Sequence, residues 1–283
     1  MSKRVKLGLL GNNLGRSRAK DLHEFLGEIH GLAVTYQPMD LLDRSGPVSI
    51  VDELRRCQAE GYCGVNVTHP YKKEAFGCVT TLAGFPEGLT SVNTVLFTEQ
   101  GMQADNTDYS GCCRGFRSRF GAGFQPGRVL MLGVGGVGVA IAYAMQTLGA
   151  MELVVHDANE LLTREFVAQM AGSRLPVRAA GPDLVAEMQR ADGLINATPV
   201  GMFQYPGNPF PLAGFGSQRW GFDAVYTPEN TEFLSRCRQL DIEALSGFYL
   251  FWYQGLDAFC RFTGIVVDQE RIRGQFLKRY PLE

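Results

Sequence analysis

The sequence has no excess of charge of either sign. Its 27 lysines and arginines nearly balance its 29 aspartates and glutamates, which gives a formal net charge of −2 at pH 7. Electrostatic binding to nucleic acid requires a basic surface, and acidic or basic tails require blocks of like charge. Because the sequence has neither, we expect no nucleic-acid partner.

Long hydrophobic runs are also missing. No apolar stretch approaches the roughly 20 residues that a transmembrane helix needs. Residues 1–6 lead directly into a short apolar run rather than into the hydrophobic region of a secretory signal. We therefore expect no membrane partner and a cytoplasmic location.

Paired cysteines and metal-ligand patterns are absent as well. The seven cysteines are scattered, odd in number and never spaced as Cys-x-x-Cys, and the four histidines share no ligand spacing with them. This pattern is typical of reduced thiols in a hydrophobic core rather than of a disulfide framework. It also predicts that the protein holds no structural metal.

Short apolar runs alternate with amphipathic segments along the 283 residues. In the first part of the chain, the runs Val5–Gly11, Thr35–Met39 and Gly61–Val67 predict buried strands, and Ile50–Glu60 predicts a helix between two of them. Such alternation is typical of parallel βαβ units. The length further favours two α/β domains.

The second part of the chain opens with the apolar run Val129–Leu132, which leads into a Gly-x-Gly-x-x-Gly pattern and then the Ala-rich segment Val139–Met145. A strand that ends in such glycines lets the backbone approach a pyrophosphate and directs helix N–H groups at it. The sequence therefore predicts a Rossmann dinucleotide-binding domain. The residues expected at the dinucleotide are Gly133, Gly135, Gly136, Val137 and Gly138. Further strands are expected at Glu152–His156, Val177–Ala180, Gly193–Asn196, Gly221–Val225 and Leu240–Leu245.

An acidic residue follows the next predicted strand. Asp157 comes directly after Glu152–His156, where a carboxylate accepts hydrogen bonds from the adenosine ribose of NAD and repels the 2′-phosphate of NADP. An ordinary loop aspartate is the alternative interpretation. We expect NAD as the cofactor, with NADP disfavoured.

Two segments connect these domains in the prediction. Ser91–Thr98 and Gly101–Ala104 predict a hairpin, after which the polar cluster Asp105–Asp108 caps a helix from about Tyr109 to Phe120. The aromatic segment Phe248–Phe262 is expected to form a helix that returns to the first domain. The predicted substrate-binding domain comprises residues 1–108 plus 247–283. The predicted dinucleotide-binding domain comprises residues 109–246.

Polar motifs at the predicted strand ends resemble those of the shikimate/quinate dehydrogenase family. They are Asn66-Val67-Thr68-His69-Pro70-Tyr71-Lys72, Ser91-Val92-Asn93-Thr94, Asp105-Asn106-Thr107-Asp108, Asn196-Ala197-Thr198-Pro199-Val200-Gly201-Met202, Asp223-Ala224-Val225-Tyr226-Thr227-Pro228 and Gly247…Gln254. The resemblance covers nearly the whole chain. It implies an N-terminal α/β substrate domain with a mainly parallel sheet, a C-terminal Rossmann domain, and hydride transfer between nicotinamide and a ring hydroxyl of shikimate or a close analogue. A place in the shikimate pathway of aromatic amino acid biosynthesis is implied with it.

The resemblance also implies roles for individual residues. Lys72 matches the family's catalytic lysine and Asp108 its partner carboxylate. From composition alone, a solvated charge is the simpler interpretation of Lys72. A helix N-cap is an equally good interpretation of Asp108 and is compatible with the catalytic one. Substrate-binding roles are implied for Ser17, Thr68, Asn93, Tyr226 and Gln254. Cofactor-binding roles are implied for Asn196, Thr198, Met202 and Gly247.

The first loop departs from the family pattern, in which two serine hydroxyls hold the substrate carboxylate. In the run Arg16-Ser17-Arg18-Ala19-Lys20, Ser17 remains and Ala19 lacks the second hydroxyl. A missing donor to a carboxylate costs on the order of 1.5–3 kcal/mol unless a neighbouring charge, from Arg16, Arg18 or Lys20, compensates. The expected substrate is therefore a small cyclic carboxylic acid that can be shikimate, quinate or amino-shikimate.

Two rival functions stay open at this point. The altered loop at Ala19 motivates a dinucleotide-binding regulatory homologue with little turnover. A two-domain dehydrogenase of the methylenetetrahydrofolate type is the other rival, although the motifs at 66–72 and 196–202 fit it poorly. Either a monomer or a homodimer is compatible with the sequence.

Overall fold

The computed structural model describes residues 3–42, 44 and 46–281. They divide into two units, one formed by the described part of Met1–Thr107 with Gln254–Pro281, the other by Asp108–Tyr253. Each unit is an α/β structure with its own sheet, as the sequence predicts. The predicted domain bounds differ from these units at residue 108 and over 247–253, and they stay a prediction.

The bounds of the elements are as follows. The strands are β1 (Arg4–Gly11), β2 (Ala33–Asp40), β3 (Gly64–Val67), β4 (Thr80–Thr81), β5 (Thr94–Thr98), β6 (Gly101–Asp105), β7 (Arg128–Leu132), β8 (Glu152–His156), β9 (Val177–Ala179), β10 (Gly193–Asn196), β11 (Trp220–Asp223) and β12 (Glu243–Leu245). The α-helices are α1 (Ala19–Ile29), α2 (Ile50–Ala59), α3 (Lys72–Phe76), α4 (Thr107–Phe120), α5 (Gly136–Thr147), α6 (Glu160–Met170), α7 (Leu184–Arg190), α8 (Glu232–Gln239), α9 (Gly247–Thr263) and α10 (Gln269–Arg279).

The sheet of the first unit has the strand order β2-β1-β3-β5-β6-β4 among the described residues. β1 pairs in parallel with both β2 and β3, as expected for βαβ units. β5 pairs antiparallel with β3 and with β6. Its pairing with β6 is antiparallel because a two-residue connection such as Glu99-Gln100 can join only antiparallel neighbours. The first sheet is therefore mixed: β1 is parallel to β2 and β3, β5 is antiparallel to both of its neighbours, and β4 pairs in parallel with β6.

The sheet of the second unit is parallel throughout its described strands, in the order β12-β11-β10-β7-β8-β9. Read from the other edge, this order is that of a Rossmann fold, in which the direction of winding reverses between β7 and β10. Ligands of such sheets bind beyond the carboxyl ends of the strands at this reversal. The glycine turn at Gly133–Gly138 follows β7 at this place.

β3 and β7, two of the strands that lead to predicted site residues, are buried up to their last residue. Val67 at the end of β3 is 1% exposed, and Leu132 at the end of β7 is 3% exposed. Both belong to strands that pack between neighbours on two sides, where continuous apolar runs are favoured. The polar motifs therefore begin where the chain leaves the core.

The start of α4 differs from the prediction. The helix begins at Thr107 rather than at about Tyr109, because the Asn93 side chain accepts hydrogen bonds from the N–H of Thr107 at 2.7 Å and from its hydroxyl at 3.1 Å. A helix start leaves N–H groups without intrahelical partners, and Asn93 satisfies one of them. Asp108 thus lies inside the first turn and is not the N-cap.

α3 and β12 are among the other elements that differ from the prediction. α3 has only five residues, too few for a helical period to show in the sequence. β12 begins at Glu243 rather than at Leu240, because Asp241 takes a left-handed conformation, with a φ of 55°, between α8 and the strand. No helix in the described part of the chain combines the length and apolar character needed to cross a membrane.

Candidate active site

Lys72 is the first residue of α3, and it is buried despite its charge. It is 8% exposed, whereas the neighbouring Lys73 is exposed. The Lys72 carbonyl accepts a hydrogen bond of 3.0 Å from the N–H of Val92, which fixes the start of the helix against the motif that carries Asn93. Lysine is rarely buried without a structural or chemical reason. The burial argues against the solvated surface charge that composition alone favours.

Asn93 is buried, and its carboxamide oxygen faces other protein groups. Beyond its two bonds with Thr107, this oxygen accepts from the Thr94 hydroxyl at 3.1 Å. The Asn93 Nδ2 donates to Gln254 Oε1 at 3.4 Å. A carboxamide nitrogen carries two hydrogens. The second hydrogen of Asn93 Nδ2 has no acceptor among the described residues, so it is available to a ligand oxygen.

A buried polar network lies behind Asn93 in the first unit. Asn66 Nδ2 donates to the Asn93 carbonyl at 3.2 Å and to the Thr94 hydroxyl at 3.1 Å, and the Tyr36 hydroxyl donates to Asn66 Oδ1 at 2.9 Å. His23 stacks on Tyr36 with 4.8 Å between ring centroids. Burial lowers the pKa of His23 to about 3, against a smaller opposite effect of its hydrogen bond with Asn66, so the imidazole is neutral. Sequence reasoning assigned no role to Tyr36, Asn66 or His23.

Thr68 follows the carboxyl end of β3, and Ser17 lies in the loop that follows the carboxyl end of β1. Because β1 and β3 are parallel, these ends lie at the same edge of the first sheet. The N–H of Thr68 donates to the Leu10 carbonyl at 2.8 Å. At Gly11 a Cβ would lie 2.3 Å from the Thr68 methyl, so this close approach requires glycine. Ser17 is half-buried, and its hydroxyl accepts from the N–H of Ala19 at 3.4 Å.

The charged neighbours of Ser17 differ in their surroundings. The Arg18 guanidinium donates to the Pro281 carbonyl at 2.9 Å and lies 5.8 Å from the centre of the Phe276 ring. Lys20 is exposed. Arg18 is thus engaged by the C-terminal segment of its own unit, which makes it a poor substitute for the hydroxyl missing at Ala19.

In the second unit, Asp108 and Tyr226 are the residues predicted to meet substrate. Asp108 is 6% exposed and is the second residue of α4. Tyr226 is half-buried and stacks on Phe251 of α9, with 5.0 Å between centroids and 11° between planes. The ring plane of Tyr226 is thus set by an aromatic neighbour on a helix.

The glycines of the turn differ in the space that a Cβ atom would have. A Cβ at Gly133, which has a φ of +94°, would lie 2.6 Å from the Ala197 carbonyl oxygen, and one at Gly138 would lie 2.4 Å from the Gly133 carbonyl oxygen. A Cβ at Gly135, directly before α5, would meet nothing within 4 Å. Protein packing therefore accounts for Gly133 and Gly138, and Gly135 leaves an exposed backbone at a helix N-terminus, which suits a phosphate. Gly136 is also exposed, and Val137 is half-buried.

Asp157 is fixed at the end of β8 by backbone groups. Its Oδ2 accepts from the N–H of Val134 in the glycine turn at 3.0 Å, and its Oδ1 accepts from the N–H of Asn159 at 2.9 Å. Its own N–H donates to the Thr163 hydroxyl at 3.0 Å. Each carboxylate oxygen keeps acceptor capacity for a further donor, such as a ribose hydroxyl.

Asn196 is fully buried, and its side chain is occupied by protein partners. Its oxygen accepts from the Thr198 N–H at 3.0 Å and hydroxyl at 2.7 Å, while its nitrogen donates to the Val200 carbonyl at 2.8 Å and to Asp223 at 2.9 Å. With both hydrogens and both lone pairs engaged, the side chain shapes the segment 197–202 from within. Thr198 and Met202 of that segment are half-buried.

Asp223 is a buried carboxylate. It is the first residue of the motif Asp223–Pro228, but no role was predicted for it. Besides Asn196, it accepts from the Val225 N–H at 3.0 Å and from the Thr231 hydroxyl at 2.6 Å. Burial raises the pKa of Asp223 to about 6, against the opposite effect of these three bonds. The carboxylate joins segment 197–202 to the segment that carries Tyr226.

Gly247 opens α9 where the chain passes close to the end of β11. A Cβ there would lie 2.5 Å from the carbonyl oxygens of both Ala224 and Val225. Packing alone therefore requires glycine, beside the cofactor role that the resemblance implies. The described residues hold no cluster of histidine, cysteine, aspartate or glutamate side chains suited to a metal ion.

Comparison with known proteins adds a family to this geometry. A family model described as the shikimate dehydrogenase substrate binding domain matches residues 9–95. A shikimate dehydrogenase (NADP(+)) of Arthrobacter sp. strain FB24 is 35% identical over 280 residues, which cover 96% of this chain and 94% of that protein. The chain belongs to the shikimate/quinate dehydrogenase family.

Other members of the family show the same extent of similarity. A quinate/shikimate dehydrogenase (NAD(+)) of Corynebacterium efficiens is 34% identical and covers 96% of this chain and 98% of its own. The quinate dehydrogenase from Corynebacterium glutamicum, solved in complex with NAD, has a TM-score of 0.89 at 33% identity and covers 98% of this chain and 100% of its own. The family places the chain among the oxidoreductases, and its members' names include both NAD and NADP.

Proposed function

We propose that this protein is an NAD-dependent dehydrogenase that interconverts shikimate and 3-dehydroshikimate, or the corresponding alcohol and ketone of a close analogue such as quinate or amino-shikimate. The observation that carries the proposal is the buried Lys72 on α3, in a unit where Asn93 keeps one amide hydrogen for a ligand. The family supports the reaction class, and the half-buried Ser17 supports a substrate with a carboxylate.

The proposed roles follow from the chemistry of each side chain. Lys72 hydrogen-bonds the reacting hydroxyl oxygen, and Asp108 is the carboxylate that shares in handling its proton. Asn93 and Gln254 hydrogen-bond other ring hydroxyls, and Thr68 is a further substrate-binding residue. Tyr226 is proposed to contact the substrate ring. Ser17 donates to the substrate carboxylate.

The dinucleotide would be held by the second unit. When bound, it supplies the hydride-accepting nicotinamide ring. The exposed backbone at Gly135 and Gly136 suits its pyrophosphate, and Asp157 suits the ribose. Thr198, Met202 and Gly247 are proposed neighbours of the nicotinamide end, and Asn196 acts by shaping segment 197–202.

The preference for NAD rests on Asp157. Its carboxylate cannot turn away easily, because the N–H groups of Val134 and Asn159 hold both of its oxygens. A 2′-phosphate brought beside a fixed carboxylate would place like charges together, at a cost of several kcal/mol. The C. glutamicum structure with NAD supports the same preference.

A panel of shikimate, quinate and amino-shikimate, each with NAD and NADP at equal concentration, tests the proposal. Turnover is followed by the absorbance of the reduced nicotinamide. We expect at least one substrate to turn over, with kcat/KM about a hundredfold higher for NAD than for NADP. A clear preference for NADP would overturn the cofactor assignment.

The altered loop favours one competing function, a regulatory homologue that binds dinucleotide with little turnover. Ala19 lacks the second hydroxyl, and Arg18 is engaged elsewhere. Tight NAD binding by calorimetry, together with no turnover across the panel, would favour that function over the dehydrogenase.

A further inference from the structure

The loop between β1 and α1, residues 12–18, carries Ser17 and is anchored at its base. The N–H of Asn12 donates to the His69 carbonyl at 3.0 Å. Farther along, the N–H of Ser17 donates to the Leu14 carbonyl at 2.9 Å and closes the 3₁₀ turn Leu14–Arg16. The position of Ser17 therefore depends on where Leu14 is held.

Asp40 holds this turn from the neighbouring strand. It is the last residue of β2 and pairs with Gly11, the last residue of β1, so its side chain lies beside the start of the loop. Asp40 Oδ2 accepts from the N–H of Leu14 at 2.8 Å, and Oδ1 accepts from the N–H of Asn13 at 3.3 Å and of Leu42 at 3.1 Å.

The turn needs an acceptor at this place. Asn13 is in the left-handed region with a φ of 59°, a conformation that costs free energy for a residue other than glycine. The N–H groups at the start of a 3₁₀ turn have no partner within the turn itself. Bonds from N–H groups to an ionised acceptor are roughly twice as strong as neutral ones, and these bonds hold the pKa of Asp40 below its usual value.

We propose that Asp40 is a positioning residue for substrate binding, whose carboxylate holds Asn13 and Leu14 and, through the Leu14–Ser17 turn, sets the Ser17 hydroxyl toward the substrate carboxylate. This rests on the proposed function, in which Ser17 meets the substrate. In this role, Asp40 itself touches neither substrate nor dinucleotide. Loss of its carboxylate therefore weakens substrate binding and leaves dinucleotide binding intact, since the dinucleotide residues belong to the second unit.

Two variants and a matched control test the proposal. Asp40→Ala removes all three acceptor contacts. Asp40→Asn keeps the shape but turns an NH₂ group toward at least one backbone N–H. Asp52→Asn is the control, because Asp52 is an exposed aspartate of the same unit whose side-chain contact is with Arg55 at 3.5 Å. Each protein is assayed for the KM of substrate, the KM of NAD and amide hydrogen exchange over residues 12–18.

The expected result is a graded one. The substrate KM rises about tenfold in Asp40→Asn and up to about a hundredfold in Asp40→Ala. The KM for NAD stays within about twofold, amide exchange in residues 12–18 becomes faster, and Asp52→Asn behaves like the unmodified protein. Unchanged exchange in Asp40→Ala would overturn the claim that Asp40 holds the loop.

Two other results separate this proposal from the proposed function. Faster exchange with an unchanged substrate KM would overturn the positioning role and leave the dehydrogenase standing. An unmodified protein that neither turns over nor binds shikimate or quinate would overturn the proposed function. Faster exchange in the Asp40 variants would then still support the hold of Asp40 on the loop.

Discussion

Lys72 and Lys73 are adjacent in the chain but lie in opposite environments, one buried and the other exposed at the start of α3. This difference makes them a matched pair. In Lys72→Ala we expect kcat to fall by about 10²–10⁴, the range for loss of a group that handles a proton, with dinucleotide affinity unchanged. Lys73→Ala should keep kcat within about twofold. Steady-state kinetics and NADH titration check both, and full turnover of Lys72→Ala would exclude its catalytic role.

In the proposed function, the single carboxylate of Asp157 determines the choice of cofactor. In Asp157→Asn the repulsion of a 2′-phosphate is removed, so we expect the ratio of kcat/KM for NAD over NADP to fall by about tenfold or more. Asp183→Asn is a suitable control, because Asp183 is also a loop aspartate that accepts a backbone N–H, from Ala186 at 3.0 Å. If both variants kept the ratio of the unmodified protein, discrimination would have to come from another residue.

At the scale of elements, we propose that the loop before α1 sets how tightly the substrate carboxylate is held. Ala19 is the first residue of α1, and its N–H already lies 3.4 Å from the Ser17 hydroxyl. Ala19→Ser adds a second hydroxyl at this helix start, so we expect the substrate KM to fall about tenfold, with the NAD KM unchanged. Ser17→Ala should have the opposite effect and raise the substrate KM. An unchanged KM in both variants would place the carboxylate elsewhere.

The elements that sequence predicts well are those whose information is local. The run before the glycine turn predicts β7, because a strand buried between two neighbours requires continuous apolar residues. The start of α4 was missed because its acceptor, Asn93, lies 14 residues upstream. The five residues of α3 are too few to show a period.

The same division holds for the candidate site. Resemblance selected Lys72 and Asn93 as site residues, in positions where the structure finds a buried lysine and an amide with one hydrogen available to a ligand. It did not select Asp40 or Tyr36. Asp40 of β2 contacts the loop that follows β1, and Tyr36 of β2 contacts Asn66 of β3, two strands away. Such contacts depend on sheet register rather than on local pattern.

Over the whole molecule, two buried groups respond to pH in opposite directions. The folded pKa of His23 is about 3, so between pH 6.5 and 3 the unfolded chain binds a proton that the folded first unit refuses, and stability falls as pH falls. The folded pKa of Asp223 is about 6, so between pH 3.8 and 6 the folded second unit keeps a proton that the unfolded chain loses. Its stability falls as pH rises, by up to about 3 kcal/mol.

Urea unfolding at pH 4 and pH 6 checks this prediction. Trp220 and Trp252 both belong to the second unit, so tryptophan fluorescence reports on that unit, while hydrogen exchange of β1 and β2 reports on the first. We expect the second unit to gain stability at pH 4 and the first to lose it. Asp223→Asn should remove this gain and leave the opposite dependence of Glu187, whose pKa the hydrogen bond with Arg178 lowers to about 2. A gain at pH 4 that persists in Asp223→Asn would assign it to other groups.

The glycine turn has a practical consequence for dissecting binding. Because a side chain at Gly135 would meet no protein atom within 4 Å, Gly135→Ala should yield a correctly folded protein, whereas Gly133→Ala would collide with the Ala197 backbone. If the open space at Gly135 is where phosphate approaches, the alanine methyl group obstructs the dinucleotide alone. A folded variant that does not bind the dinucleotide would allow the affinity for the cyclic acid to be measured without any contribution from a bound nucleotide.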